Sequence, residues 1–473
     1  MTDHFNQLSC DVVGLIISKT TAEESVNLFP LLTVCKKWYE AAQPTIMRLR
    51  YRHLKLTPAR NNALPHLSTE RHRALWVHTI TIYDQLKDKH DLVRDENFSE
   101  ELDFVSSLRN IFNLCQRMER FCWYRKMWDD AIWTLPRPVT CRDLDINCSS
   151  LSWAGNSPAF LKSLNGTLRS IHIRSELSRP LSEWEQLFSS LSACSHLQSL
   201  SLIPHFHDRI QFDRLTDVWP FLTSLKLPFP FDQMGMSSFL NQHKHLQELY
   251  LSNPAGGAFG RYLSPDALPN LRKIELGNIE DTIFLLKPMR NGQLRPIDTV
   301  DLQYSGTIIT QYLETLCQQL IRHTELRRLY LCKEISDINL LISSVPTSIT
   351  YLENLKIQVD PMKWKVVRGA FLHLKNVNRI RNMTLMPHGY QPEPTRSFAK
   401  EFVDNCEVFL KFLFENSPDL KSVWGYTQTN FVTYELQNKW IYTARRGPNG
   451  IPKIERHRLV SRAIDVKKIV SDL

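Results

Sequence analysis

The phrase L-x-x-L-x-L recurs down most of this chain and constrains its fold more than any single residue does. Leu197-Leu200-Leu202, Leu246-Leu249-Leu251, Leu271-Ile274-Leu276 and Leu326-Leu329-Leu331 are the clearest copies. Counted between first apolar residues, Leu168, Leu197, Leu222, Leu246, Leu271, Ile297, Leu326, Leu352 and Ile380 are 29, 25, 24, 25, 26, 29, 26 and 28 residues apart. Steps of that size mark a stacked solenoid, in which each unit buries its apolar face only against its neighbours.

Within the phrase the last two apolar positions alternate, as one face of a short strand must, and the first sits where the chain turns in. Between phrases the period changes. Leu181, Trp184, Leu187, Phe188 and Leu191 form a helical stripe introduced by Ser182 and Glu185 in capping-box spacing, and Ile309, Leu313, Leu316, Leu320 and Ile321 form a second. A helical-hairpin solenoid has a similar period, but it would put helical spacing in both halves of each unit. The expected class is therefore α/β, with parallel strands on an inner, concave side and helices outside.

These phrases resemble the leucine-rich-repeat family over residues 118–425. Met118-Phe121-Trp123 and Cys141-Leu144-Ile146 keep the spacing near one end, while Leu420-Val423-Gly425 ends on glycine near the other. The family's commonest pattern places Asn or Cys eight positions after the first leucine, where it ladders between turns. Here those positions hold Glu176, His205, Pro230, Pro254, Ile279, Ser305, Glu334, Asp360 and His388. Without that ladder, an irregular horseshoe of variable curvature is expected.

In a chain of 473 residues, 42% hydrophobic and 10% aromatic, such an array has ample material for a continuous core. No run approaches the ~20 apolar residues of a membrane span, and Met1 to Cys10 lacks the basic start and apolar stretch of a signal peptide. The chain is expected to be cytoplasmic or nuclear and not membrane-bound. Ten cysteines without a C-x-x-C pair disfavour both a disulfide framework and a zinc site, and point to reduced, mostly buried thiols. Of the net charge of +9, residues 437–473 contribute +6, with nine Lys or Arg against Glu455, Asp465 and Asp472. That basic tail is compatible with nucleic acid, a phospholipid surface, an import receptor or plain solvation.

Ahead of the array, Asp11 can cap a helix carrying Val12, Leu15 and Ile16, while Leu31, Val34, Cys35 and Trp38 follow helical spacing in another. Residues 5–48 resemble an F-box, whose pattern runs L-P-x-D/E-V-L-x-x-I and ends in V-C-K-x-W. Val34-Cys35-Lys36-Lys37-Trp38, followed by Tyr39 and Ala41-Ala42, carries the closest match. Ser9 stands where the family usually has proline, and Val13-Gly14 where leucine is common. The resemblance implies a helical interface with a Skp-type adaptor and, through it, a cullin. Leu8, Val12, Ile16, Leu31, Val34, Cys35 and Trp38 are the candidate adaptor-binding residues, with Trp38 the natural anchor. A helical cap on the open end of the array is the alternative role.

Residues 49–117 read as a connecting and capping region with room for a degenerate first repeat, and 426–473 as a C-terminal cap with the basic tail. No P-loop, nucleophile elbow, H-E-x-x-H pair or kinase signature occurs, so no catalytic residue, cofactor or metal is expected. His205-x-His207 and His243-x-His245 have no neighbouring Cys or carboxylate set and read as surface histidines.

Recognition is expected on the residues flanking the alternating leucines. They run Ser170-His172-Arg174, Ser199-Ser201-Ile203, Ser224-Lys226-Pro228, Glu248-Tyr250-Ser252 and Lys273-Glu275-Gly277, then Thr299-Asp301-Gln303, Arg328-Tyr330-Cys332, Asn354-Lys356-Gln358 and Asn382-Thr384-Met386. Mixed charge with interleaved tyrosine suits a folded protein or peptide better than a nucleic-acid backbone, which asks for a cationic stripe. Arg174, Tyr250, Glu275, Arg328 and Tyr330 are the candidate target-binding residues. Taken together, these features predict a substrate-recruiting adaptor of a Skp/cullin/F-box ubiquitin ligase. A cullin-independent interaction scaffold is the rival, and nucleic-acid binding through the tail a third reading.

Overall fold

The structure is a computed structural model. It describes residues 51–57, 67, 71–83, 98–124, 135, 140–148, 157–175, 181–203, 218–227, 231–251, 258–302, 308, 310–331, 337–349, 351–358, 372, 380–386, 411–415, 420, 422–427, 438–446 and 452–459. Contacts divide the chain into two compact units, Met1–Phe206 and His207–Leu473.

In the first unit the strands β1 (His53–Leu56), β2 (Thr79–Tyr83), β3 (Arg120–Tyr124), β4 (Asp143–Cys148), β5 (Ser170–Ser175) and β6 (Ser199–Ile203) each pair in parallel with the next. Two of them, β1 and β2, lie upstream of residue 118, so the ladder begins well before the first phrase recognised in the sequence. The signal there is weak because β1 holds only Leu54 and Leu56, and β2 reads Thr-Ile-Thr-Ile-Tyr without a leucine.

The second unit runs β7 (Ser224–Leu227), β8 (Glu248–Leu251), β9 (Lys273–Leu276), β10 (Thr299–Leu302), β11 (Arg328–Leu331), β12 (Asn354–Gln358), β13 (Asn382–Met386) and β14 (Ser422–Thr427), again parallel and in sequence order. Direction then reverses. β15 (Asn438–Arg446) and β16 (Pro452–Leu459) close the unit as antiparallel strands, so much of the basic C-terminal segment is sheet.

This architecture is an α/β solenoid of leucine-rich type, and each position of the phrase has a job. Leu246, Leu249 and Leu251 are all but fully buried, as are their counterparts Leu271, Ile274, Leu276 and Leu326, Leu329, Leu331. Each such side chain contributes roughly 1.5–3 kcal/mol. Helices cover the buried side. In Leu181–Ser192 the residues Leu187, Phe188 and Leu191 are buried, and in Thr310–Leu320 it is Leu313, Leu316, Cys317 and Leu320. Ile321, expected on the second stripe, lies past the helix end and is exposed.

A ladder different from the family's asparagine ladder joins the repeats. The N–H of the first apolar residue closes a tight turn on the carbonyl three residues earlier: Met118 on Cys115, Leu197 on Cys194, Leu246 on His243 and Leu326 on His323, at 3.0–3.2 Å. The next two N–H groups then share one carbonyl of the preceding repeat. Gln247 and Glu248 donate to Thr223, Arg272 and Lys273 to Gln247, Asp298 and Thr299 to Arg272, and Arg327 and Arg328 to Asp298. These backbone bonds join successive repeats at the entry to each strand, on the other side of the strand from the position where the side-chain rung would stand. Of the nine positions where Asn or Cys was sought, Ile279 is described; it is buried and opens the helix Ile279–Leu286, capped by the Asn278 side chain.

The residue that starts each lead-in turn is buried, which corrects one expectation. His243 is 4% exposed, with its Nδ1 2.6 Å from the Phe239 carbonyl and its Nε2 2.7 Å from that of Val218. It is a structural histidine, while His245, two residues on, is exposed as expected. Trp219 and Leu268 occupy the same turn position with φ of 59° and 56°, each directly before a proline and each fully buried. Left-handed backbone at a bulky residue costs roughly 1–2 kcal/mol, and burial of the side chain offsets it. Five cysteines among the described residues (115, 122, 141, 194 and 317) are free and buried, as expected.

Candidate functional site

Strand alternation sends every second side chain to the face opposite the helices. In the second unit the register aligns those side chains across strands. The middle position reads Lys226, Tyr250, Glu275, Asp301, Tyr330 and Lys356 from β7 to β12. All six are half-buried. The position two residues earlier reads Ser224, Glu248, Lys273, Thr299, Arg328 and Asn354, of which Glu248 and Arg328 are exposed.

Charges along the middle row are arranged, not scattered. Lys226 Nζ lies 4.2 Å from the ring centroid of Tyr250, and Lys356 Nζ lies 6.0 Å from that of Tyr330, so a cation stands beside each tyrosine. Between the tyrosines Glu275 and Asp301 occupy neighbouring strands. Burial, then the Asp301 charge, push the Glu275 carboxyl up to about 7, against the pull of Lys226, Lys273 and Lys356. Burial, followed by the two carboxylates, raises the Tyr250 phenol to about 12, and Tyr330 moves the same way, chiefly through burial.

The first unit presents a different face. Its middle row is Lys55, Thr81, Cys122, Asp145, His172 and Ser201. Thr81, Cys122 and Ser201 are buried, so this row offers little side chain to a partner. Its polar groups bond one another: His172 Nδ1 lies 2.7 Å from Ser201 Oγ, and the Tyr124 hydroxyl donates to Asp145 Oδ2 at 2.5 Å, with Arg120 3.5 Å from the same oxygen. Burial and that hydrogen bond hold the Tyr124 phenol well above its ordinary range.

Among the residues named from sequence, Tyr250, Glu275 and Tyr330 share the middle row, and Arg328 stands two residues before Tyr330 on β11. Arg174 belongs to the first unit, where it is exposed on β5. The residues passed over were Asp301, Lys226 and Lys356. Their signal was already in the phrases: aligning successive copies puts all six side chains at one position, but the lateral sequence emerges only when the copies are read across the strands. Leu8, Val12, Ile16, Leu31, Val34, Cys35 and Trp38 lie outside the described residues, as do His205 and His207.

No protein-family model and no curated protein matches this sequence. Among solved structures, the crystal structure of the Rad7 and Elc1 complex in yeast is similar at a TM-score of 0.43 and 13% identity, over 79% of this chain and 92% of that one.

No group of three or more His, Cys, Asp or Glu among the described residues is placed to hold a metal ion, and no helix among them is long and apolar enough to cross a membrane. On the helical side, a hollow of about 280 Å³ is lined by Gly260, Arg261, Glu280, Phe284 and Tyr312 among others. Two of its charged groups are already paired, since Glu280 accepts from Arg261 and from the Tyr312 hydroxyl at 2.8 Å each. Those two bonds, Arg261 first, hold the Glu280 carboxyl below its usual range. The open face of the second unit is the better candidate for recognition.

Proposed function

We propose that this chain is a non-enzymatic adaptor that carries a target protein to a ubiquitin-ligase core. The observation that carries the target-binding half is the registered row of tyrosines and charges on β7–β12, a rigid surface with aromatic anchors and polar groups of both signs. The ligase half rests on the F-box-like residues 5–48, above all Val34-Cys35-Lys36-Lys37-Trp38. Joined in one chain, the two halves raise the local concentration of the target beside a ubiquitin carrier supplied by another protein.

The test is co-purification with a Skp-type adaptor. The unmodified chain is expected to recover it, and a Val34→Asp, Trp38→Ala double variant to lose it. An unmodified chain that recovers no adaptor would sink this reading. A second reading, a scaffold whose N-terminal helices only cap the array, draws on β1 starting at His53, directly after residues 5–48. That reading expects the double variant to lower thermal stability and leaves adaptor recovery at background in both proteins.

A further inference from the structure

The chain contains three Asn-Gly steps: Asn165-Gly166, Asn291-Gly292 and Asn449-Gly450. The third lies outside the described residues. An Asn-Gly step can modify itself, because glycine has no side chain to keep its backbone nitrogen away from the asparagine carboxamide. Both described steps sit in exposed turns, so exposure does not tell them apart. Hydrogen bonding does.

Asn291 is clamped. Its Oδ1 accepts from the Gln293 N–H at 2.9 Å, and its Nδ2 donates to Gln293 Oε1 at 3.1 Å. The Gly292 N–H, whose nitrogen would have to be the nucleophile, donates to the Met289 carbonyl at 2.9 Å. Asn165 stands just past the helix Ser157–Ser163, in the turn that leads into β5. The Thr167 and Leu168 N–H groups close that turn on the Leu164 carbonyl at 3.0 and 2.9 Å. Neither the Asn165 side chain nor the Gly166 N–H has a hydrogen-bond partner among the described residues. A Cβ placed on Gly166 would meet nothing within 4 Å, so nothing there crowds the approach.

We propose that Asn165 is a self-modification site, which turns into aspartate and isoaspartate as the folded protein ages. The Gly166 nitrogen gives its proton to solvent base and bonds to Asn165 Cγ; the Cγ–Nδ2 bond breaks, and ammonia leaves, taking up a proton. Water then opens the five-membered imide at either carbonyl. One water is consumed and one ammonia released, with no change of oxidation state. Opening at Cγ gives aspartate. Opening at the main-chain carbonyl routes the chain through Cγ and adds a methylene to the turn that delivers the fully buried Leu168 to its repeat.

The full chain, incubated at pH 8 and sampled over time, provides the test by peptide mapping that resolves asparagine, aspartate and isoaspartate. Each hydrogen bond that must break adds to the barrier at Asn291, so in the folded protein Asn165 is expected to convert at least about tenfold faster. In urea the two sites are expected to convert alike, since both are Asn-Gly. Gly166→Ala, made where the fold leaves open space, is expected to suppress the reaction at Asn165. Equal rates in the folded protein, or faster conversion at Asn291, would overturn the proposal. So would a difference that persists in urea, because the fold would then not be its cause. Aspartate alone at position 165, or conversion undiminished in Gly166→Ala, would rule out the route through the Gly166 nitrogen.

Discussion

Lys226 on β7 holds its Nζ 4.2 Å from the ring centroid of Tyr250, its registered partner on β8. At that distance the attraction between ammonium and ring is worth about 0.5–1 kcal/mol on a half-exposed surface. A double-mutant cycle with Lys226→Ala and Tyr250→Leu is expected to give a coupling of that size in unfolding free energy. The same cycle for Lys356 and Tyr330, 6.0 Å apart, is expected to give a smaller value. Equal couplings would mean that the row is held by something other than these contacts.

Two carboxyls should make stability fall with rising pH. Burial is the main cause that lifts both Glu275 and Asp281 to about 7. When the folded-state value lies above the unfolded one, the folded protein holds the proton more tightly between the two. The contribution is then complete below about pH 4 and is lost as pH rises through 7. Thermal unfolding at pH 5 and pH 8 is expected to show the higher midpoint at pH 5. Glu275→Gln and Asp281→Asn should each narrow the gap; an unchanged gap in the double variant would count against both assignments.

The array was legible in the sequence because a strand that buries one face repeats with period two, and a solenoid repeats that strand at a nearly constant step. Leu249 and Leu251 therefore announce β8, and Glu248 and Tyr250 announce its open face. Three features escaped for physical reasons. Thr-Ile-Thr-Ile-Tyr in β2 buries isoleucine where the phrase asks for leucine. In the basic run β15 pairs with β14 and β16 with β15, and pairing partners leave no local signature. His243 looked like a surface histidine because nothing in its neighbourhood of sequence shows the Val218 carbonyl waiting 25 residues back.

Arg295 poses the same problem more sharply, and removing it should be costly. It is 1% exposed, and its guanidinium donates to the carbonyls of Pro265, Ala267, Leu285 and Lys287 at 2.7–3.1 Å. Burial lowers its pKa to about 10, and the charge persists because these carbonyls replace water. Arg295→Met is expected to destabilise the chain by about 3–5 kcal/mol, since it strips four carbonyls of their shared partner. Arg295→Lys should recover only part of that, because one ammonium cannot fork to four acceptors. Denaturant midpoints of the three proteins provide the check.

A single added methyl group should be felt at Gly260, beneath the helix Ile279–Leu286. The Gly260 N–H donates to Asp281 Oδ1 at 2.7 Å, which draws the 3₁₀ turn Phe259–Tyr262 against that helix. A Cβ there would stand 3.0 Å from Phe284 Cβ and 3.1 Å from Asp281 Oδ1. Phe284 Cβ is fixed to the helix backbone and cannot swing aside, so the turn itself must move, and the hydrogen bond to Asp281 lengthens. Gly260→Ala is therefore expected to cost about 1–3 kcal/mol. Gly166 offers the control, because a Cβ there meets nothing within 4 Å. Gly166→Ala should be neutral or stabilise by up to about 1 kcal/mol through the unfolded chain. If both variants shifted the denaturation midpoint alike, the close approach at Gly260 would not be what joins turn to helix.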